Sequence, residues 1–174
     1  MKIATQAVRI GLEWDTRTGA VTIPVYQTAT FRHPGLGQST GYDYTRSGNP
    51  TRQALEEGMA LLDGGARGFA YSSGMAAITS LLLLFKPGDH IVVTEDLYGG
   101  SYRLFEQVFR QYGLVFTYVD TSDLARARAA FRPETRALFV ESLTNPLLKT
   151  ADLAALAALC REQGALCIVD NTFL

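Results

Sequence analysis

Residues 165–172 read ALCIVDNT: five small or apolar residues, then an acid, then a turn-forming Asn-Thr pair. A run this short and this uniformly apolar predicts a strand over 165–169 buried on both faces, the condition of a strand inside a parallel sheet. Asp170 then stands at the strand's carboxyl end, the edge of an open parallel sheet where ligands bind. A carboxylate there is suited to hold a proton on the ring nitrogen of a bound heterocycle, because the opposite charge favours the protonated form. As a plainer reading, a strand-end acid also caps the following turn.

Upstream, the same apolar signature recurs between helical patterns. Strands are expected over 66–71, 90–94, 114–119 and 136–141, the last carrying ALFVE at residues 137–141. Helices are expected over 74–85, 100–112, 122–131 and 152–163, separated by turns at Pro87-Gly88-Asp89, Tyr112-Gly113 and Gln163-Gly164. Such alternation predicts an α/β domain, a mostly parallel sheet with helices on both faces. Before it, Asn49-Pro50 reads as an N-cap with proline at the first helical position. The helix it opens, over 50–62, should bury Ala54, Leu55, Met59 and Leu62 and end at Gly64-Gly65. Residues 1–50 show little helical periodicity and read as an extended arm, with 51–174 as the sheet domain. Residues 171–174 leave the last strand with no crossover after it, so the domain is expected to be incomplete, its remainder lying beyond Leu174.

Composition narrows the function classes. With 174 residues and 47% hydrophobic content the chain is long enough for a sizeable core. A net charge of −1 with scattered cations argues against nucleic-acid binding. The apolar stretch from Ile78 to Phe85 is too short to span a bilayer, and the N-terminus MKIATQAVRIG has no secretory apolar region, so no membrane partner and a cytoplasmic location are expected. Cys160 and Cys167 lack metal-type spacing and read as small core residues, and His33 and His90 have no ligand cluster beside them, so no metal is expected.

Four further segments carry candidate chemistry. YSSGMAAI, residues 71–78, places Ser73 and Gly74 at a strand-to-helix turn, where helix-start N–H groups and the helix dipole bind phosphate; an ordinary serine cap reads the same way. EDLYGGSYRLF, residues 95–105, projects Tyr98 above the sheet's carboxyl edge, where an aromatic ring stacks on a flat ligand or simply sits in solvent. ESLTNP, residues 141–146, offers the amide of Asn145 to an anionic oxygen, in what is also a plain turn. YDYTRSGNPTR, residues 42–52, carries Tyr44 and Arg46 in the arm, arginine being suited to bidentate phosphate binding. One nucleotide-type or pyridoxal-type site accounts for all of these at once. No G-x-G-x-x-G follows the first strand and no G-x-x-x-x-G-K-[ST] occurs, which disfavours dinucleotide and NTP sites.

Together YDYTRSGNPTR, SSGMAAI, EDLYGGSYRLFE, ESLTNPLLK and VDNTFL resemble the pyridoxal 5'-phosphate (PLP)-dependent Cys/Met-metabolism family over essentially the whole chain. Within the family, GLGQSTGYDYTR and TEDLYGGSYRLFE look most like the bacterial cystathionine γ-synthases with O-acetylhomoserine thiolyase activity, with cystathionine γ-lyase as the alternative. The resemblance implies the large domain of a fold-type-I PLP-dependent transferase, preceded by its arm. By the same resemblance, Asp170 pairs with the pyridine nitrogen, Tyr98 stacks on the ring and assists proton transfer, and Ser73, Gly74 and Met75 hold the phosphate. Asn145 is implied to bond the phenolic oxygen, with Thr172 a further cofactor contact. Tyr44 and Arg46 are implied to reach the phosphate of a neighbouring subunit in a dimer of dimers, and Arg103 to touch the substrate's distal part. Gly100 departs from methionine γ-lyases, which usually carry cysteine there. The implied reaction is γ-replacement on an O-acylhomoserine by cysteine. The family's Schiff-base lysine and carboxylate-binding arginine are expected beyond residue 174, so the chain by itself is expected to be inactive or a non-catalytic interaction remnant. Lys2, Lys86 and Lys149 are its only lysines.

Overall fold

A computed structural model describes residues 2–10 and 15–174. The chain divides into two compact units, Met1–Ser72 and Ser73–Leu174. The division falls after Ser72, whereas the sequence pattern placed it at residue 50.

In the first unit, helix α2 (Pro50–Asp63) starts as the sequence dictates. The Asn49 side chain accepts the Thr51 N–H at 2.9 Å, Pro50 sits in the first turn, and Gly64 closes the helix in the left-handed region at φ 61°. Its buried stripe differs from expectation. Ala54 and Gly58 are buried, while Leu55 and Met59 are 55% and 47% exposed. A second difference is helix α1 (Ile3–Arg9), which buries no residue and so leaves no apolar period to read. Ile10 follows it and lies over Gly58, within 2.4 Å of where a Cβ would stand, so the bare glycine makes room for an apolar contact that a leucine stripe would have blocked. Residues 66–71 form no strand. The Ala70 N–H goes to the Glu56 carboxylate at 2.9 Å, which takes that donor away from any ladder.

The second unit is built on a four-stranded sheet of order β2-β1-β3-β4, with β1 (His90–Thr94), β2 (Val115–Val119), β3 (Thr135–Glu141) and β4 (Leu166–Asp170) all parallel. Side chains alternate between two cores. Ile91, Val93 and Phe139 pack with α3 (Gly74–Leu82) and α4 (Gly99–Leu104), which continues as a π-helical turn over Phe105–Phe109. Val92, Leu138 and Val140 pack on the other side with α5 (Leu124–Ala129) and α6 (Leu153–Glu162). Phe105 anchors the first core, stacked on Phe116 at 5.1 Å and edge-on to Phe139 at 5.2 Å. Helices therefore cover both faces, as the alternation predicted.

Central β1 is buried throughout and β3 nearly so, but β4 is not the doubly buried strand expected: Leu166 is 53% and Val169 39% exposed. Position explains this. β4 pairs only with β3 and forms an edge, so its other side meets no strand among the described residues. Cys160 is buried in the second core, with Cys167 packed against it.

At the amino end of β1, His90 is fully buried and bridges both neighbouring strands. Its Nδ1 lies 2.7 Å from the Thr135 hydroxyl of β3 and its Nε2 2.9 Å from the Thr117 hydroxyl of β2. Burial lowers its pKa to about 4, assisted by Arg132 and opposed by Glu134. No helix among the described residues is long and apolar enough to cross a membrane.

Candidate active site

Strand order reverses between β1 and β3. The connection from β1 runs to β2 on one side, while β3 and β4 continue on the other. Such a switch point opens a crevice outside the carboxyl ends of the strands. A cavity of about 320 Å³ lies there, lined by Ser73, Gly74 and Met75 at the start of α3, Tyr98 after β1, Glu141 at the end of β3 and Asn145 beyond it, and Asp170 at the end of β4 with Thr172 and Phe173 after it. Met75, Ile78, Leu143 and Phe173 supply an apolar wall. Seven of the eight residues implied for one subunit's cofactor contacts and substrate binding thus share one space, Arg103 being the exception.

Each is placed by local rules. Ser73 caps α3 by accepting the Ala76 N–H at 3.1 Å, and the first intrahelical bond of the turn runs from Ala77 N–H to Ser73 O at 3.1 Å. The amides of Gly74 and Met75 precede that bond, and open space surrounds Gly74 where a Cβ would be. That is a cradle for an anion at the positive end of a helix. Asp170 does cap its turn, accepting the Thr172 N–H at 3.1 Å and the Thr172 hydroxyl at 2.5 Å. Both bonds go to Oδ1, so Oδ2 remains for a ligand while Thr172 fixes the carboxylate's orientation. Tyr98 is 46% exposed and precedes α4.

Gly100 makes the tyrosine's position possible. A Cβ there would stand 2.3 Å from Tyr98 Cε1 and 3.0 Å from Cδ1. Gly100→Ala should therefore swing the ring away at an off-rotamer cost of about 0.5–1.5 kcal/mol, weakening a stacked ligand roughly 2–10-fold. Because Tyr98 is exposed, unfolding free energy should stay within about 0.5 kcal/mol of wild type. Ligand titration beside a urea melt reads both; an unmoved ring and unchanged affinity would contradict the contact.

The sequence singled out Asp170 but passed over Glu141, which carries the same signature of an acid ending an apolar strand. Glu141 is 4% exposed and aligned with Asp170 across the β3–β4 ladder. Its carboxylate accepts the Tyr98 N–H at 2.7 Å and the Asn145 N–H at 3.0 Å. Burial raises its pKa above the ordinary glutamate value, against the lowering effect of those two amides and with help from Asp170 and Asp96.

Other candidates lie elsewhere. Arg103 is exposed on α4 and is not among the residues lining the cavity. Tyr44 and Arg46 belong to the first unit, where the guanidinium sits 4.8 Å from the Tyr44 ring centre. Lys149 does not line the cavity either. Its ammonium lies 3.0 Å from Asp120 and 3.4 Å from Glu95, and these bonds, Asp120's first, hold its pKa above the usual lysine value. Lys86 precedes β1, at the far end of the strand from Thr94.

A family model, Cys/Met metabolism PLP-dependent enzyme, matches residues 4–174. The chain belongs to this family. Among its relatives, a cystathionine gamma-synthase/O-acetylhomoserine (thiol)-lyase of Bacillus subtilis is 50% identical over 171 residues, 98% of this chain and 46% of that protein. A cystathionine gamma-lyase of the same organism is 48% identical, over 99% of this chain and 46% of that protein. A crystal structure of cystathionine gamma-lyase from Lactobacillus plantarum, complexed with L-serine, superposes with a TM-score of 0.94 at 47% identity, covering 99% of this chain and 45% of that one. The chain thus spans a little under half the length of these Cys/Met-metabolism relatives. PLP is the family's cofactor, and the cavity suits it: an anion cradle, a carboxylate and an aromatic ring surround a space with one apolar wall.

Proposed function

We propose that these 174 residues form the cofactor-holding part of a γ-replacement enzyme that makes cystathionine from an O-acylhomoserine and cysteine. The convergence of Tyr98, Asn145, Asp170 and the start of α3 on one cavity at the switch point carries this reading. PLP, when bound, supplies the electron sink for charge developing on the substrate amino acid. The protein's part is binding and electrostatics. The Gly74 and Met75 amides bind the phosphate, with Ser73 fixing the turn. Asp170 Oδ2 holds a proton on the ring nitrogen, and Thr172 keeps that carboxylate aimed. The Asn145 carboxamide donates to the phenolic oxygen, and the Tyr98 ring covers one face and excludes water.

Tyr44 and Arg46 are assigned to the phosphate of a neighbouring subunit in a homo-oligomer, and Arg103 to the distal end of the substrate. The acyl group leaves Cγ as a carboxylate and the cysteine thiolate takes its place. With Lys149 held by Asp120 and Glu95, no lysine of the chain is assigned the covalent role, and the chain alone is assigned no turnover. The 50% identity to a synthase/thiolyase supports replacement, and the 48% identity to a cystathionine gamma-lyase keeps γ-elimination as the second reading.

Complementation tests the assignment. The chain should be co-expressed with the unmatched remainder of the Bacillus subtilis synthase/thiolyase. The mixture should form cystathionine from O-acetylhomoserine and cysteine, while the chain alone does not. Predominant cystathionine cleavage would instead assign a lyase. No turnover of either kind in a mixture that binds the cofactor would contradict an enzymatic role.

A further inference from the structure

We propose that Glu141 is the positioning residue of this site, a buried carboxylate that locks the loops carrying Tyr98 and Asn145 to the end of β3 and so sets the distance between the stacking ring and the amide. The assignment builds on the proposed cofactor reading and adds a residue that touches no cofactor atom itself.

Three observations carry it. Glu141 is 4% exposed, and no lysine, arginine or histidine pairs with it among the described residues. A buried carboxylate without a cation persists only where hydrogen bonds compensate its desolvation. Both of its oxygens are used, and for two different loops: Oε1 takes the Tyr98 N–H at 2.7 Å and Oε2 the Asn145 N–H at 3.0 Å. Those two residues are separated by 47 positions in the chain, yet one side chain fixes both main chains. Asp96 repeats the device beside it, accepting the Leu147 N–H at 3.0 Å and the Thr144 hydroxyl, so the 95–98 loop and the 142–147 loop are tied in both directions. The nearby charges are those of Asp170 on β4 and Asp96 on the β1 loop, both anionic. They oppose a further negative charge here, and an acid kept against that opposition is explained by the two amides it organises.

Glutamine tests this, since its amide nitrogen cannot accept and one of the two bonds must break. In Glu141→Gln, hydrogen exchange at the Tyr98 or Asn145 amide should rise at least about tenfold, the scale of a hydrogen bond to a charged acceptor, with Val92 and Leu138 unchanged. Affinity for pyridoxamine 5'-phosphate should fall about tenfold while affinity for inorganic phosphate, read by the α3 cradle alone, holds. A uniform rise in exchange with equal loss of both ligands would reduce Glu141 to a structural group and overturn the proposal, as would no change at all. Should the variant fail to fold, the wild-type chain decides. Tyr98 and Asn145 amides as slow as those of the sheet support the lock, and fast exchange overturns it. Slow amides in a wild-type chain that binds no pyridoxamine 5'-phosphate would sink the cofactor reading and leave the lock standing.

Discussion

Replacing Asp170 by asparagine is expected to weaken pyridoxamine 5'-phosphate binding by about 10–100-fold, the equivalent of roughly 1.5–3 kcal/mol for a hydrogen bond to a charged group. Asparagine keeps an oxygen to accept the Thr172 N–H now held by Oδ1, so the turn after β4 survives. What disappears is the negative charge at Oδ2, and with it the stabilisation of a protonated ring nitrogen. Inorganic phosphate, which has no ring, should bind the variant and the wild type alike. The amine form of the cofactor is the right probe because it lacks the aldehyde that would react with exposed lysines. Titration calorimetry with both ligands separates the effects. Equal affinity of Asp170→Asn and wild type for pyridoxamine 5'-phosphate would remove Asp170 from the site and reduce it to a turn cap.

Acid should destabilise the chain through His90, by about 3 kcal/mol between pH 6.5 and pH 4. The folded pKa of about 4 lies below the ordinary value of 6.5, because burial disfavours the charged ring. The unfolded state therefore binds the proton first. Stability is fully present above pH 6.5, is lost as pH falls below it, and stops falling on this account once pH passes 4. Protonation would also leave two ring donors facing Thr117 and Thr135, whose hydroxyls would both have to accept. Carboxylates titrate in the same range, so the informative quantity is the difference between wild type and His90→Gln, which does not titrate. Urea unfolding at pH 7 and pH 4.5 should show a steeper loss in wild type. Parallel losses in the two proteins would contradict the assignment.

The alternation of ALFVE and ALCIV with helical patterns made the parallel sheet and its two helical layers readable, because central strands must be apolar on both sides. That same signature misled at β4, where it could not distinguish a central strand from an edge one. Helix α1 escaped notice since it buries nothing, while α2 was placed by its caps and only its buried stripe was misread, because its contact face is made of Ala54 and Gly58 rather than its leucines. At the site, Asp170, Asn145, Tyr98 and the Ser73 turn were legible as loop residues at strand ends. Glu141 was overlooked because it looks like the last residue of a strand. Its partners are backbone amides, which no side-chain motif announces.

The central claim is that one cavity at the β1/β3 switch point holds the phosphorylated ring. The most direct measurement is a titration of the ¹⁵N-labelled chain with pyridoxamine 5'-phosphate, followed by amide chemical shifts. The amides of Gly74, Met75, Tyr98, Asn145, Asp170 and Thr172 should move together and saturate with one affinity. Shifts that leave these residues untouched and gather instead around Glu95, Asp120 and Lys149 would contradict it.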